Sequence, residues 1–246
     1  MLPSDGENSR RPTTGGPLSI SGWQAVLVLV ALLALGAGGY WSYQRLSVRR
    51  QAPDPQSLHK LARECLTRGE LERAAQILRQ VVAQRPQAID ARLELAEALL
   101  GLARLDEAVD AYRQAAQRAP QNVEVQTLLA AALAAAGHYA EAERTLSQAA
   151  KSDPAAVGPR RVLGHVLMLQ QRWESAATAF QEAARLAPGD ADLHYDLGRA
   201  CLAAGRAREA ATAFQQALRC NPQHAGAKSA LEELSRTAEG TPAGAG

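Results

Sequence analysis

The chain has 246 residues, of which 47% are apolar but only 4% aromatic. That balance excludes β-sandwiches and barrels, which draw on aromatic and β-branched residues. The abundance of Ala and Leu excludes global disorder, and helices packed closely through small side chains are expected. The formal net charge is +2 and resides in the first 55 residues, so the remainder is neutral and carries no basic stripe of the kind nucleic acid requires.

Residues 1–22 are polar, rich in Pro, Gly, Ser and Thr, and have no periodicity, which predicts a flexible tail. No charge occurs between Arg11 and Arg45. Within that window residues 23–43 would span ~31 Å as a helix, matching a bilayer's hydrocarbon thickness. Trp23 stands at one end, Tyr40, Trp41 and Tyr43 at the other, and Arg45, Arg49 and Arg50 follow at headgroup depth. The expectation is a single transmembrane helix and a single-pass membrane location, with a linker over 44–54. A cleaved signal peptide with its cut near Gly36–Gly39 is the competing reading; the long n-region and the aromatic-basic anchor oppose it. Arginines on the C-terminal side outnumber Arg10 and Arg11 by one, a bias toward a cytosolic C-terminal region that a free N-terminal amine cancels. The side on which the rest of the chain lies stays open.

From residue 55 the sequence is periodic. Pro86, Pro120, Pro154, Pro188 and Pro222 are spaced by 34 residues, which defines five units, 55–88, 89–122, 123–156, 157–190 and 191–224. Position 20 of each unit is alanine (Ala74, Ala108, Ala142, Ala176, Ala210), and position 7 is leucine (Leu61, Leu95, Leu129, Leu163, Leu197). Position 8 is Ala or Gly throughout, and position 24 is large: Leu78, Tyr112, Leu146, Phe180 and Phe214. Each unit reads as helix A, a short turn, helix B and a proline that stops helix B. Gly69, Gly137 and Gly205 stand in three of the turns. Small residues at 8 and 20 permit close approach of the two helices, and large residues at 7 and 24 fill the space beside it. One such hairpin cannot bury its apolar faces, whereas five stacked in series can.

These residues resemble the tetratricopeptide repeat family, whose signature is W-x2-L-G-x2-Y, then A-x3-F, then P, at a period of 34. The resemblance covers 55–224. It departs at position 4 (Leu58, Arg92, Gln126, Arg160, His194), which is never Trp, and at position 11 (Cys65, Leu99, Leu133, Leu167, Cys201), which is never Tyr. It implies an all-α fold, a right-handed solenoid of five helix-turn-helix repeats preceded by one transmembrane helix. Residues 225–236 are predicted to form a capping helix, and the tail from Thr237 to be disordered.

No phosphate loop, H-E-x-x-H or CxxC occurs, and the five histidines are scattered. Cys65 and Cys201 occupy a core position, and Cys201 and Cys220 lie ~13 Å apart along one hairpin, too far for a disulfide. The expectation is therefore no catalytic residues, no metal, no cofactor and no small-molecule substrate. What remains is surface. In the family, helix A positions 2, 5, 6, 9, 12 and 13 line a concave groove that holds a protein or peptide partner. Carried over, these positions give His59, Lys60 and Arg63, then Asp90, Glu94 and Glu97. A nearly bare third unit follows (Thr127, Leu128, Ala131, Ala134, Ala135), then Arg161, His165 and Met168, and finally Asp192, Tyr195, Asp196 and Arg199. His59, Arg63, Arg161, His165, Tyr195 and Arg199 are the candidate partner-binding residues. The competing reading is a solvated face with Arg161 and Arg199 neutralised by Asp192 and Asp196. The Lys and Asn set with which some family members clamp C-terminal carboxylates is absent. A membrane-tethered interaction scaffold or assembly factor is the function the sequence favours. The alternative is a client-specific maturation chaperone, as in the anchored tetratricopeptide proteins of bacterial cytochrome c biogenesis, which this chain resembles in layout and which would place it in a bacterial inner membrane.

Overall fold

In the computed structural model of the chain the described residues are 54–240, with side chains to 236. The predicted tail, the predicted span at 23–43 and nearly all of the linker lie outside them. Among the described residues no helix is long and apolar enough to cross a membrane. Eleven helices and no strand are found there: α1 Pro55–Thr67, α2 Leu71–Gln84, α3 Ile89–Gly101, α4 Leu105–Arg118, α5 Val123–Ala135, α6 Tyr139–Ser152, α7 Val157–Leu169, α8 Trp173–Leu186, α9 Ala191–Ala203, α10 Ala207–Cys220 and α11 Ala225–Gly240. The odd-numbered helices through α9 are the five helices A, and the even-numbered ones are the five helices B. The closing helix α11 runs to Gly240, past the predicted boundary at 236.

Local chemistry sets the ends. Asp54, Asn122 and Asp190 accept backbone N–H groups of the first turns of α1, α5 and α9. Helices B end because the residue before each proline cannot stay helical: Arg85, Ala119, Asp153, Ala187 and Asn221 have φ between −125° and −137°. In the A–B turns the position-15 residue is left-handed, with φ of 75°, 83° and 76° at Gly69, Gly137 and Gly205. Ala103 and Gln171 adopt the same conformation at φ 56° and 59° without being glycine. The turn thus follows its hydrogen bonds rather than its residue. The next N–H reaches back to the position-11 carbonyl in all five units, for example Glu70 N to Cys65 O at 2.9 Å and Arg172 N to Leu167 O at 2.9 Å.

The register holds in the core. All five position-20 alanines are fully buried, as are Leu78, Leu146 and Phe214 at position 24, with Phe180 and Tyr112 nearly so. Where position 24 is phenylalanine, position 8 is glycine, and contact explains the pairing. A Cβ on Gly164 would lie 2.6 Å from the Phe180 ring, and one on Gly198 would lie 2.4 Å from the Phe214 ring. Position 7 divides. Leu95 and Leu129 are buried, Leu163 and Leu197 are half-buried, and Leu61 is 37% exposed. Position 4, the site of the missing Trp, carries arginine in two units. Arg92 is buried, donating to Ala88 O at 3.0 Å and to Gln114 Oε1 at 3.5 Å. Arg160 donates equivalently to Ala156 O, and its Nε lies 3.4 Å from Glu182. Burial, followed by the charge of Arg118, pulls the Arg92 guanidinium below its ordinary pKa.

Adjacent units are also tied at the surface. Arg79 reaches Glu107 at 2.7 Å and Arg113 reaches Glu141 at 3.1 Å, each joining one helix B to the next. At the third junction this pairing gives way to Glu143, which accepts from Arg172 at 2.9 Å and Gln170 at 2.6 Å. There too the core changes hands. Most buried residues of α1 to α6 form one cluster with Val166, most from Leu167 onward form a second, Ala183, Ala184 and Leu193 form a third, and Leu163 packs against the first two.

Candidate functional site

Stacking at a 34-residue period places positions 5 and 9 of one helix A beside position 6 of the next, at sequence separations of 35 and 31. At the first junction these are His59, Arg63 and Glu94. His59 Nε2 lies 2.7 Å from Glu94 Oε2, and Arg63 Nε donates to Glu94 Oε1 at 2.7 Å. Asp90 adds contacts of 3.8 Å to His59 and 3.9 Å to Arg63. His59 is buried. One glutamate engages both His59 and Arg63.

The fourth junction repeats the arrangement with the bases exchanged and the acid shortened. Arg161, His165 and Asp196 occupy the same three positions. Asp196 is buried; its carboxylate lies 3.2 Å from His165 Nε2, 3.8 Å from Arg161 Nε and 4.0 Å from Arg199 Nη1. Arg161 is 3.9 Å from Asp190, whose carboxylate already accepts the Asp192 and Leu193 amides at the start of α9. Aspartate is one methylene shorter than glutamate, which matches the longer contact to arginine: 3.8 Å here against 2.7 Å at Glu94. The acid is recessed, and the side chains of Arg161 and Arg199 are 38% and 52% exposed, against 57% for Arg63 in the first cluster.

Tyr195 serves a different purpose. Its ring lies 5.7 Å from Phe214 and 4.7 Å from His224, and a Cβ on Gly226 would meet it at 2.8 Å. It therefore seats α11 on α9 and α10. Arg199 lies over the ring at 5.8 Å. Asp192 pairs with His224 at 3.1 Å rather than with either arginine. Of the six candidate residues, His59 and Arg63 thus form one cluster, Arg161, His165 and Arg199 another around Asp196, and Tyr195 joins the second to the cap.

Between the clusters this face is mixed, with exposed Glu97 and Glu124 beside small and apolar residues. Thr127 packs toward Gly158, with 3.7 Å from its Cγ2 to a Cβ built there, and Leu128 and Ala131 bear no charge. Beside the second cluster lies a cavity of about 380 Å³ framed by Met168, Leu169, Trp173 and Phe180, with His165, Asp196 and Arg199 on its polar side. The His165 ring stands edge-on to Phe180 at 5.0 Å. Leu169 is 60% exposed, well above Leu61, Leu186 and Leu202, the other exposed leucines. Sequence reasoning reached Met168 but not Leu169, Trp173 or Phe180. The available signal was a pair of large residues at positions 12 and 13, where the third unit has two alanines.

A larger groove of about 530 Å³ lies on the helix B side, with Ala177 and Ala184 of α8, His194, Leu197 and Cys201 of α9 and Ala213 of α10 among its walls. His194, at position 4 of its unit, lines it and turns its Nε2 to Pro188 O at 2.9 Å.

Models described as Tetratricopeptide repeat match residues 59–123 and 161–225, and a further one matches 103–158. No curated protein matches the chain. Among solved structures, a thermophilic TPR protein of Thermus thermophilus has a TM-score of 0.59 at 19% identity, over 74% of this chain and 100% of that one. MamA 41-end from Desulfovibrio magneticus RS-1 gives 0.59 at 20% identity, over 70% and 97%. YrrB, described as a TPR protein with an unusual peptide-binding site, gives 0.55 at 19% identity, over 76% and 97%.

Proposed function

The chain belongs to the tetratricopeptide repeat family, and from that premise we propose that it is a membrane-tethered scaffold or assembly factor whose helix A face binds other proteins. The observation that carries this reading is the fourth junction, where the partly exposed side chains of Arg161 and Arg199 surround a buried carboxylate beside an apolar cavity. Arginine is enriched among interface hot spots, and exposed large apolar groups rimmed by polar ones mark protein contact sites. The tether is the apolar segment 23–43, whose length, aromatic flanks and following arginines suit a bilayer.

Two measurements on the full-length chain test this. It should remain with membranes through carbonate extraction; recovery in the soluble fraction would contradict the tether, and a mature N-terminus near Gly38 would identify cleavage instead. Purification from mild detergent should return a stable, reproducible set of folded membrane partners. Return of one transient, unfolded client would favour the maturation chaperone over the scaffold.

A further inference from the structure

The residue that precedes each helix A, and α11 after them, is Asp54, Ala88, Asn122, Ala156, Asp190 and His224 in turn. Asp54, Asn122 and Asp190 cap their helices through side-chain oxygens. His224 does the same for α11 with a ring nitrogen. The amide of Ala227, in the first turn of α11, donates to His224 Nδ1 at 3.1 Å. The His224 carbonyl accepts the Lys228 amide at 3.2 Å, as the carbonyl of an N-cap residue does. A nitrogen that accepts an N–H carries a lone pair, so the ring proton is on Nε2, which donates to Asp192 Oδ1 at 3.1 Å. The capping ring is therefore the neutral Nε2–H tautomer, and a second proton has only Nδ1 to occupy. There it would face the Ala227 N–H, and the cap would be lost. The new charge would also stand at the positive end of the α11 dipole. The side chain is 12% exposed, which leaves the freed amide little access to water.

We propose that His224 is an acid-sensitive latch on the closing helix: neutral, it caps α11, and protonated, it frees the first turn of α11 and loosens that helix from α9 and α10. Of the capping groups only imidazole changes charge between about pH 5 and 8, so the cap is complete above that range and is lost as pH falls through it. The charged groups around the ring do not restore the bond. On α9, Asp192 favours the imidazolium but acts at Nε2, and Tyr195 presents its ring at 4.7 Å. In the last turn of α10, Arg219 makes no ion pair with His224 among the described residues, and the Cys220 thiol donates to Pro188 O at 3.4 Å. On α11 itself, Lys228 donates to Gln223. What the latch holds is apolar: Ala227, Ala230 and Leu231 of α11 share a cluster with Tyr195, Phe214 and Leu218. Loosening α11 uncovers those three side chains, so the closed end of the array opens in acid.

The test is amide hydrogen exchange of the full-length chain in detergent, read by mass spectrometry at about pH 7.5 and about pH 5.5 and corrected for the intrinsic effect of pH on exchange. Protection of α11 should fall by about fivefold at the lower pH, the loss expected of one N-cap, while α9 and α10 keep theirs. His224→Asn, whose amide oxygen caps without titrating, should be protected at both pH values. His224→Ala, which has no capping atom, should be loosened at both, with α1 to α10 still protected as evidence of folding. Equal protection of α11 in the native chain at the two pH values overturns the proposal, as does the same acid loss in His224→Asn. A loss spread evenly over α1 to α11 overturns it too, because that is global acid unfolding rather than release of one helix.

Discussion

At the scale of single residues, the units are held by pairs that leave no slack. Glycine inside a helix is costly by about 1 kcal/mol relative to alanine, yet Gly164 and Gly198 persist because the phenylalanine rings opposite need the room. Gly198→Ala is therefore expected to destabilise by about 1–3 kcal/mol despite the better propensity of alanine. Phe214→Leu in the same chain should return part of the loss, and thermal melting of the single and double variants checks this. Ala142→Leu or Ala176→Leu should cost a similar ~1–3 kcal/mol, since both alanines are fully buried. Ala103→Gly is the opposite case. It relieves a left-handed alanine at φ 56°, and the melting temperature should rise by an amount equivalent to about 1 kcal/mol. Tyr112 supplies a pH signature. Burial, and then the charge of Glu97, push its phenol up to about 12 from 10.0. A raised folded-state pKa means the contribution is intact below pH 10 and is lost as pH rises toward about 12. Chemical denaturation across that window should show falling stability in the native chain and a shallower fall in Tyr112→Phe.

At the scale of helices, the pattern of small and large residues in a 34-residue unit was enough to place all ten repeat helices, because each determinant acts within one hairpin. Proline at position 32 restricts position 31, and positions 8, 20 and 24 meet across a single turn. What the residue pattern did not disclose depends on how one unit sits on the next. The pairing of His59 and Arg63 with Glu94, and of Arg161 and His165 with Asp196, needs the stacking offset that separations of 35 and 31 express. A scan for opposite charges at those separations would have found both clusters. It would not have shown that Arg63 hydrogen-bonds its glutamate while Arg161 only approaches its aspartate. The role of Tyr195 was equally hidden, because its partners Phe214, His224 and Gly226 come from three later segments. Position 4 gives a prediction at this scale. Arg92 meets a neutral Gln114 where Arg160 meets Glu182, so Gln114→Glu should supply the missing charge and stabilise by about 1 kcal/mol. A lower denaturation midpoint in Gln114→Glu would contradict the equivalence of the two sites.

For the molecule as a whole, the repeat unit presents two unlike surfaces. Helices B are joined by Arg79–Glu107 and Arg113–Glu141, and Arg172, in the turn before α8, pairs with Glu143 of α6. The helix A side runs from an ionic cluster around Glu94, through a middle of small and apolar residues with Glu97 and Glu124, to a second ionic cluster around Asp196 beside a cavity. Protein docking on the helix A side is the claim on which the proposed function stands. The most direct measurement is site-specific photo-cross-linking of the full-length chain in native membranes. Probes at Ala131 and Arg199 on helices A are compared with probes at Gln148 and Arg208 on helices B, all four exposed. Discrete protein adducts at Ala131 or Arg199, and few at Gln148 and Arg208, are the expected result. Adducts confined to the helix B positions, or equal at all four, would contradict it.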